Sequence, residues 1–214
     1  NTTVSFADGN RNDQILAALQ TYLHRRYPQS VRILADERTK LFRMNGSWTC
    51  YSRSLAFLEP NLHGTETRTP FHYFSSGQQC IWNKPTYSLA VKAGHNEEPH
   101  NHLDVGTFIL ATACGQELCD LGAGMYTKDY FNHHRYDIFC NNSFSHNVPI
   151  INGKGQVNGE EHRGRLTCTE ETVMMEFSRA YDLPELKSLT RVLKAEETRV
   201  VLIDTVDMDF ETFT

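Results

Sequence analysis

From about residue 71 onward, apolar and β-branched residues recur at every second position in short runs bounded by Gly, Pro, Asn or Asp. A period of two makes one face of each run apolar, and only another apolar face can bury it. The chain is thereby committed to packed antiparallel sheets rather than an α/β sheet. The runs are Gln79 to Trp82, Tyr87 to Lys92, His102 to Ala113, Gln116 to Asp120, Ser143 to Ile151, Arg165 to Thr169, Thr172 to Phe177, Ser188 to Lys194 and Arg199 to Val206. Asn152-Gly153 is the strongest hairpin signal, and Cys114-Gly115 and Asn158-Gly159 are further turns. The expected fold is mainly β, a layered antiparallel β-sandwich over residues 71–214.

Residues 1–70 read as a short helical segment. Asp13 caps a stretch in which Ile15, Leu16, Leu19, Tyr22 and Leu23 follow a helical period, and Pro28 ends it. Ser30 opens a second helix carrying Val31, Leu34 and Phe42, closed by the turn Asn45-Gly46. A weaker apolar stretch spans Leu55 to Leu58 before the loop marked by Pro60, Gly64 and Pro70. These helices cannot enclose a core of their own. The chain starts at Asn1 without an initiator methionine, and Asp204 to Thr214 ends inside a strand pattern. It is therefore expected to be a piece of a longer protein.

At 214 residues the chain can bury a substantial core. A net charge of -5 argues against general affinity for nucleic acid, and no apolar run approaches the length of a membrane span. The six cysteines lack CxxC spacing and read as small buried hydrophobes. That usage leans toward a reducing, cytoplasmic compartment over a secreted or periplasmic one. G-x-S-x-G, P-loop and dinucleotide-glycine motifs are all missing, which ranks nucleophilic hydrolases and nucleotide enzymes low.

Chemistry concentrates in His95 to Asp104. If this segment is extended, His100, His102 and Asp104 share one face, while Asn101, Leu103, Val105, Thr107 and Ile109 share the other. Two neutral imidazoles on a rigid row can converge on a metal or an anion, with Asp104 the first third ligand to consider. Two further residues compete with it. Asp120 precedes the small residues Gly122, Ala123 and Gly124, and His146 opens the run that ends at Ile151. Together His102, Asp120 and His146 supply two nitrogens and one oxygen, a set that suits zinc and leaves one position for water or another ligand. Between them, Met125 to Tyr136 is rich in phenols and basic groups suited to sugar rings and carboxylates. Lys92, Lys128 and Arg135 are expected to make a local positive cleft.

The ordered blocks AGHNEEPHNHLDVGTF, LCDLGAGMYTKDYF and RYDIFCNNSFSHNVPIINGKGQ resemble the signature of the heparinase II/III-like polysaccharide lyases. The resemblance implies an α/α toroid followed by a layered β-sandwich, so that this chain holds the last helices of the toroid and much of the sandwich. It implies β-elimination at a uronate of an acidic polysaccharide, in which the uronate carboxylate is neutralised and a base takes the adjacent proton. His100 then faces the substrate carboxylate, with Tyr130 as the catalytic phenol and Asn96, Asn101, Tyr126 and Arg135 as substrate contacts. His102, Asp120 and His146 become the ligands of a structural zinc. The family's catalytic tyrosine usually lies in the toroid, so the partner implied is the missing N-terminal helical domain, and the chain alone is expected to hold half an active site. Two rivals remain. Gly94, His100 and His102 match the opening of a cupin motif, although Gly106 and Thr107 stand where its glutamate belongs. A non-catalytic carbohydrate-binding sandwich is the other.

Overall fold

The computed structural model describes residues 6–9, 17–28 and 69–209. The chain divides into two compact units, one formed by Asn1–Arg11 with Thr69–Thr214 and the other by Asn12–Arg68. In the first unit, short alternating segments form ten strands: β1 (Phe71–Phe74), β2 (Gln79–Asn83), β3 (Tyr87–Lys92), β4 (Gly94–Asn96), β5 (Phe108–Thr112), β6 (Gly115–Leu118), β7 (Gly159–Cys168), β8 (Thr172–Glu176), β9 (Leu186–Ala195) and β10 (Val200–Met208). They pair antiparallel into two five-stranded sheets of order β1-β2-β3-β5-β6 and β10-β9-β8-β7-β4. The mainly β, antiparallel architecture expected from the alternation is the one observed.

Alternation decides what each sheet buries. Trp82, Leu89 and Val91 of one sheet and Leu166, Val173, Met175, Leu189 and Leu193 of the other belong to a single core cluster. Each such side chain contributes roughly 1.5–3 kcal/mol by leaving water. On β8 the intervening residues Met174 and Glu176 are exposed, so the far side of that strand meets solvent. Both faces of β3 are buried, Ala90 and Lys92 included.

Two crossings between the sheets carry the site. The chain leaves the first sheet at Lys92, joins the second at Gly94, and returns to the first through residues 97–107. It leaves the first sheet again after Leu118 and joins the second at Gly159, with four short 3-10 turns between Lys128 and Ser145 on the way.

These crossings correct two strand expectations. Of the run from His102 to Ala113 only Phe108–Thr112 is a strand, and Ser143 to Ile151 holds a 3-10 turn and an isolated bridge. Their backbone groups find partners outside any ladder. Leu103 N donates to Asn141 O at 2.9 Å, and Val105 N donates to the side chain of Gln156 at 2.9 Å. The alternation of faces proposed for His100, His102 and Asp104 therefore fails, since Asn101 through Thr107 are all buried. The Asn152-Gly153 turn is present, with φ of 49° and 73°. β1 and β4 are strands that the sequence reading did not anticipate.

In the second unit the described helix is α1 (Ala17–Arg26). His24, Arg25 and Arg26 in its last turn oppose the negative end of the helix dipole, and Pro28 follows. The Asp13 cap, the second and third helical stretches and the Asn45-Gly46 turn lie outside the described residues. Among the described residues no helix is long and apolar enough to cross a membrane.

Gly106 sets the turn back into β5. Its φ is +90°, and a Cβ there would lie 2.7 Å from the Phe177 ring. Strain and clash act together, so Gly106→Ala is expected to cost about 2–4 kcal/mol. Thermal unfolding should show a Tm lowered by roughly 5–10 °C, and an unchanged Tm would refute this account of the turn.

Candidate metal and carboxylate site

The first crossing brings His102 inward and the second brings Asp120 and His146 to meet it. One ligand-type atom from each of the three lies within 4.8 Å of the others. Asp120 is fixed by backbone donors: Gly122 N gives a hydrogen bond to Oδ1 at 2.8 Å and Ala7 N gives one to Oδ2 at 3.1 Å. The first bond depends on a tight turn at Gly122, whose φ is +75°. His146 follows a 3-10 turn capped by Asn142, whose side chain accepts from Phe144 N at 3.1 Å. Its Nδ1 lies 3.3 Å from Asp120 Oδ2.

The protonation states suit a cation. Burial pushes the His102 imidazole down, against the opposing pull of Asp8, so the ring is neutral. Burial acts to raise Asp120, but His146 and the two backbone donors outweigh it and hold the carboxyl low. His102 Nδ1 and both ring nitrogens of His146 are buried with no hydrogen-bond partner among the described residues. Unsatisfied buried nitrogens are costly. Two imidazoles beside a carboxylate held in its ionised form make a donor set that fits zinc.

Beside this trio, five side chains converge on one carboxylate that the sequence reading missed. Asp8 Oδ1 accepts from the Tyr130 hydroxyl and faces His102 Nε2 at 2.9 Å. Asp8 Oδ2 accepts from Tyr126 OH at 3.2 Å and Arg135 Nη2 at 3.1 Å, and faces His100 Nδ1 at 3.2 Å. Arg135 also donates to Asn101 O at 2.9 Å, and its guanidinium stacks 4.4 Å from the Tyr130 ring centroid. Asp8-Gly9 is legible as a turn, but nothing local says that residues 92 or more positions away will meet it.

His100, Tyr126, Tyr130 and Arg135 thus share a cradle. His100 sits at its mouth in a left-handed conformation, φ +61°, with its side chain 74% exposed. Tyr130 is buried, and both burial and the Asp8 contact push its phenol up, so it holds its proton. Asn96 and Asn101 are not in the cradle as free side chains. Asn96 is buried, donating to Gln156 Oε1 at 3.1 Å and Val157 O at 3.0 Å; Asn101 Nδ2 donates to His102 O at 3.2 Å, and its Oδ1 accepts from Tyr136 at 3.0 Å. Lys92 does not line a positive cleft: it is buried, with Nζ 2.6 Å from Asp104 Oδ1. Asp104 is therefore occupied by a lysine rather than placed in the trio.

No family model matches this chain. No curated protein matches it either. In fold it is similar to the solved structure of a heparinase III gene product with methylated lysines, at a TM-score of 0.62 and 15% sequence identity. The likeness covers 97% of this chain and 29% of that one, so the chain spans less than a third of its length. The shared class is a distant heparinase-like fold.

The cradle gives a pH signature. Burial acts to raise Asp8, but hydrogen bonds from Tyr130, His102 and Arg135 and the charge of Arg135 prevail, lowering its pKa from 3.8 to about 2. A depressed folded pKa stabilises above the ordinary value and is lost as pH falls from about 4 toward about 2. With solvent screening at the cleft mouth allowed for, this is worth about 1 kcal/mol. Asp8→Asn should lower stability at neutral pH and flatten the acid limb in denaturant unfolding with chelator present. An acid limb identical to the parent's would refute the assignment.

Proposed function

We propose that this chain is the β-domain of a heparinase II/III-like polysaccharide lyase that cleaves an acidic, uronate-containing polysaccharide by β-elimination, with a structural zinc on His102, Asp120 and His146. The observation that carries the reading is the cradle, in which an imidazole, a guanidinium and two phenols converge on a carboxylate beside the buried metal-type trio. A uronate presents the same group. The heparinase-like fold supports the same class.

In β-elimination the proton beside the uronate carboxylate becomes acidic when that carboxylate is neutralised. His100 and Arg135 supply the neutralising donors, His100 from the exposed mouth and Arg135 from a position fixed by Asn101 O and the Tyr130 ring. Tyr126, half exposed, adds a donor on the same side. Tyr130, which keeps its proton, suits the acid half of the reaction, delivering a proton to the departing glycosidic oxygen. When bound, zinc supplies a fixed positive charge that holds the two crossings together.

His100→Ala in the longer protein is expected to lower elimination activity by about 10²–10³-fold, read as ultraviolet absorbance of the unsaturated uronate, with fold and zinc content intact. The isolated 214-residue chain should show no elimination; measurable activity from it would sink the idea of a divided active site. Elemental analysis should find about one zinc per chain, and its removal should lower Tm, because the metal would add a further link between the two crossings. Iron with oxygen consumption would instead indicate the cupin-like alternative.

A non-catalytic carbohydrate-binding role is the second reading, favoured by the exposed aromatics Tyr126, Phe131, Phe139 and Phe144. It predicts sugar binding that survives loss of the metal and His100→Ala without effect on turnover of the longer protein.

A further inference from the structure

The two sheets are bonded across their inner faces by a repeated offset. Gln78 Oε1, one residue before β2, accepts from Leu166 N at 2.8 Å, and Trp82 Nε1 donates to Glu170 O, just past β7, at 2.9 Å; both pairs are 88 positions apart. Tyr73 OH adds a bond to Leu166 O at 3.3 Å. In a strand, residues i, i+2 and i+4 lie on one face at steps of about 7 Å. Midway between the two bonded pairs, at the same offset, stand Cys80 and Cys168.

Their surroundings agree with that placement. Cys80 is fully buried in the core cluster, and Cys168 packs against the same cluster while remaining partly exposed. The two thiols lie near enough that each bears on the ionisation of the other. Cys114, Cys119 and Cys140 have no thiol partner of this kind among the described residues. A pair of sulfurs held between opposed sheets by flanking hydrogen bonds needs little backbone movement to be joined.

We propose that Cys80 and Cys168 form a dithiol that closes to a cross-sheet disulfide when a low-molecular-weight disulfide is the oxidant. Cys168, the accessible member, attacks one sulfur of the oxidant as its thiolate and releases one small thiol. The Cys80 thiolate then displaces the second small thiol from the mixed disulfide. Two protein S–H bonds are lost and one S–S bond forms, with the two electrons carried off in two small-molecule thiols. Burial raises both thiols, so closure quickens as the solution becomes mildly alkaline. This site is independent of the proposed lyase reading.

The test is native treatment of the whole chain with oxidised glutathione or with excess dithiothreitol, followed by alkylation, non-reducing digestion and mass spectrometry. The expected product is a peptide pair linked through Cys80 and Cys168, with Tm raised by about 5–10 °C in the oxidised sample. Cys168→Ser should abolish both the linked peptide and the Tm rise, and Cys80→Ala should do the same if the serine variant folds poorly. Alkylation of both residues after oxidation, glutathione adducts alone, or a link between any other pair would overturn the proposal.

Discussion

The side-chain amide of Gln156 grips the peptide of Val105 from both sides, accepting from its N–H at 2.9 Å and donating to its C=O at 2.7 Å. That grip lets a loop be buried where a strand would ordinarily be required, because a buried backbone group without a partner costs about 1–3 kcal/mol. Ser143 extends it, donating to Leu103 O at 2.8 Å and accepting from Gln156 N at 2.9 Å. Arg191 fastens both crossings to the second sheet, reaching Gly106 O at 2.9 Å and Asn147 O at 2.5 Å while forking onto Asp204. His102 and His146 are thus carried on loops with the rigidity of sheet.

The charges inside this scaffold are linked from one to the next. Lys92 and Asp104 form a buried pair; burial acts to lower the lysine, but Asp104, Glu98 and Asp120 more than offset it and keep it charged. Removing either partner of such a pair typically costs 3–5 kcal/mol, since the survivor is left uncompensated. Asp120 bears on that lysine and belongs to the trio with His102, which in turn meets the Asp8 carboxylate held by Arg135 and His100. The Arg135 guanidinium on the Asp8 carboxylate, next to the metal-type trio, can hold an acidic group and a metal side by side.

Much of this was legible because strands declare themselves by period. Tyr87 to Lys92 and Thr172 to Phe177 were visible as alternating runs, and their inward residues belong to the core. His102 was visible in the His100-x-His102 row, Asp120 by the small residues Gly122, Ala123 and Gly124 after it, and His146 through the donor set it completes with them. The loop 102–107 was misread as strand because its polar residues are buried by specific partners such as Gln156 and Lys92, and partners distant in sequence leave no local period. Asp8 was invisible for the same reason, lying in a short turn whose significance comes entirely from the far side of the chain.

Sequence distance also dictates an order of events. Asp8 is separated from His100 by 92 positions and from Arg135 by 127. Closing such spans costs chain entropy that neighbouring contacts do not repay, so the turn at residues 6–9 docks only after the sheets it rests on exist. During synthesis Asp8 has no arginine to meet until the 3-10 segment has left the ribosome.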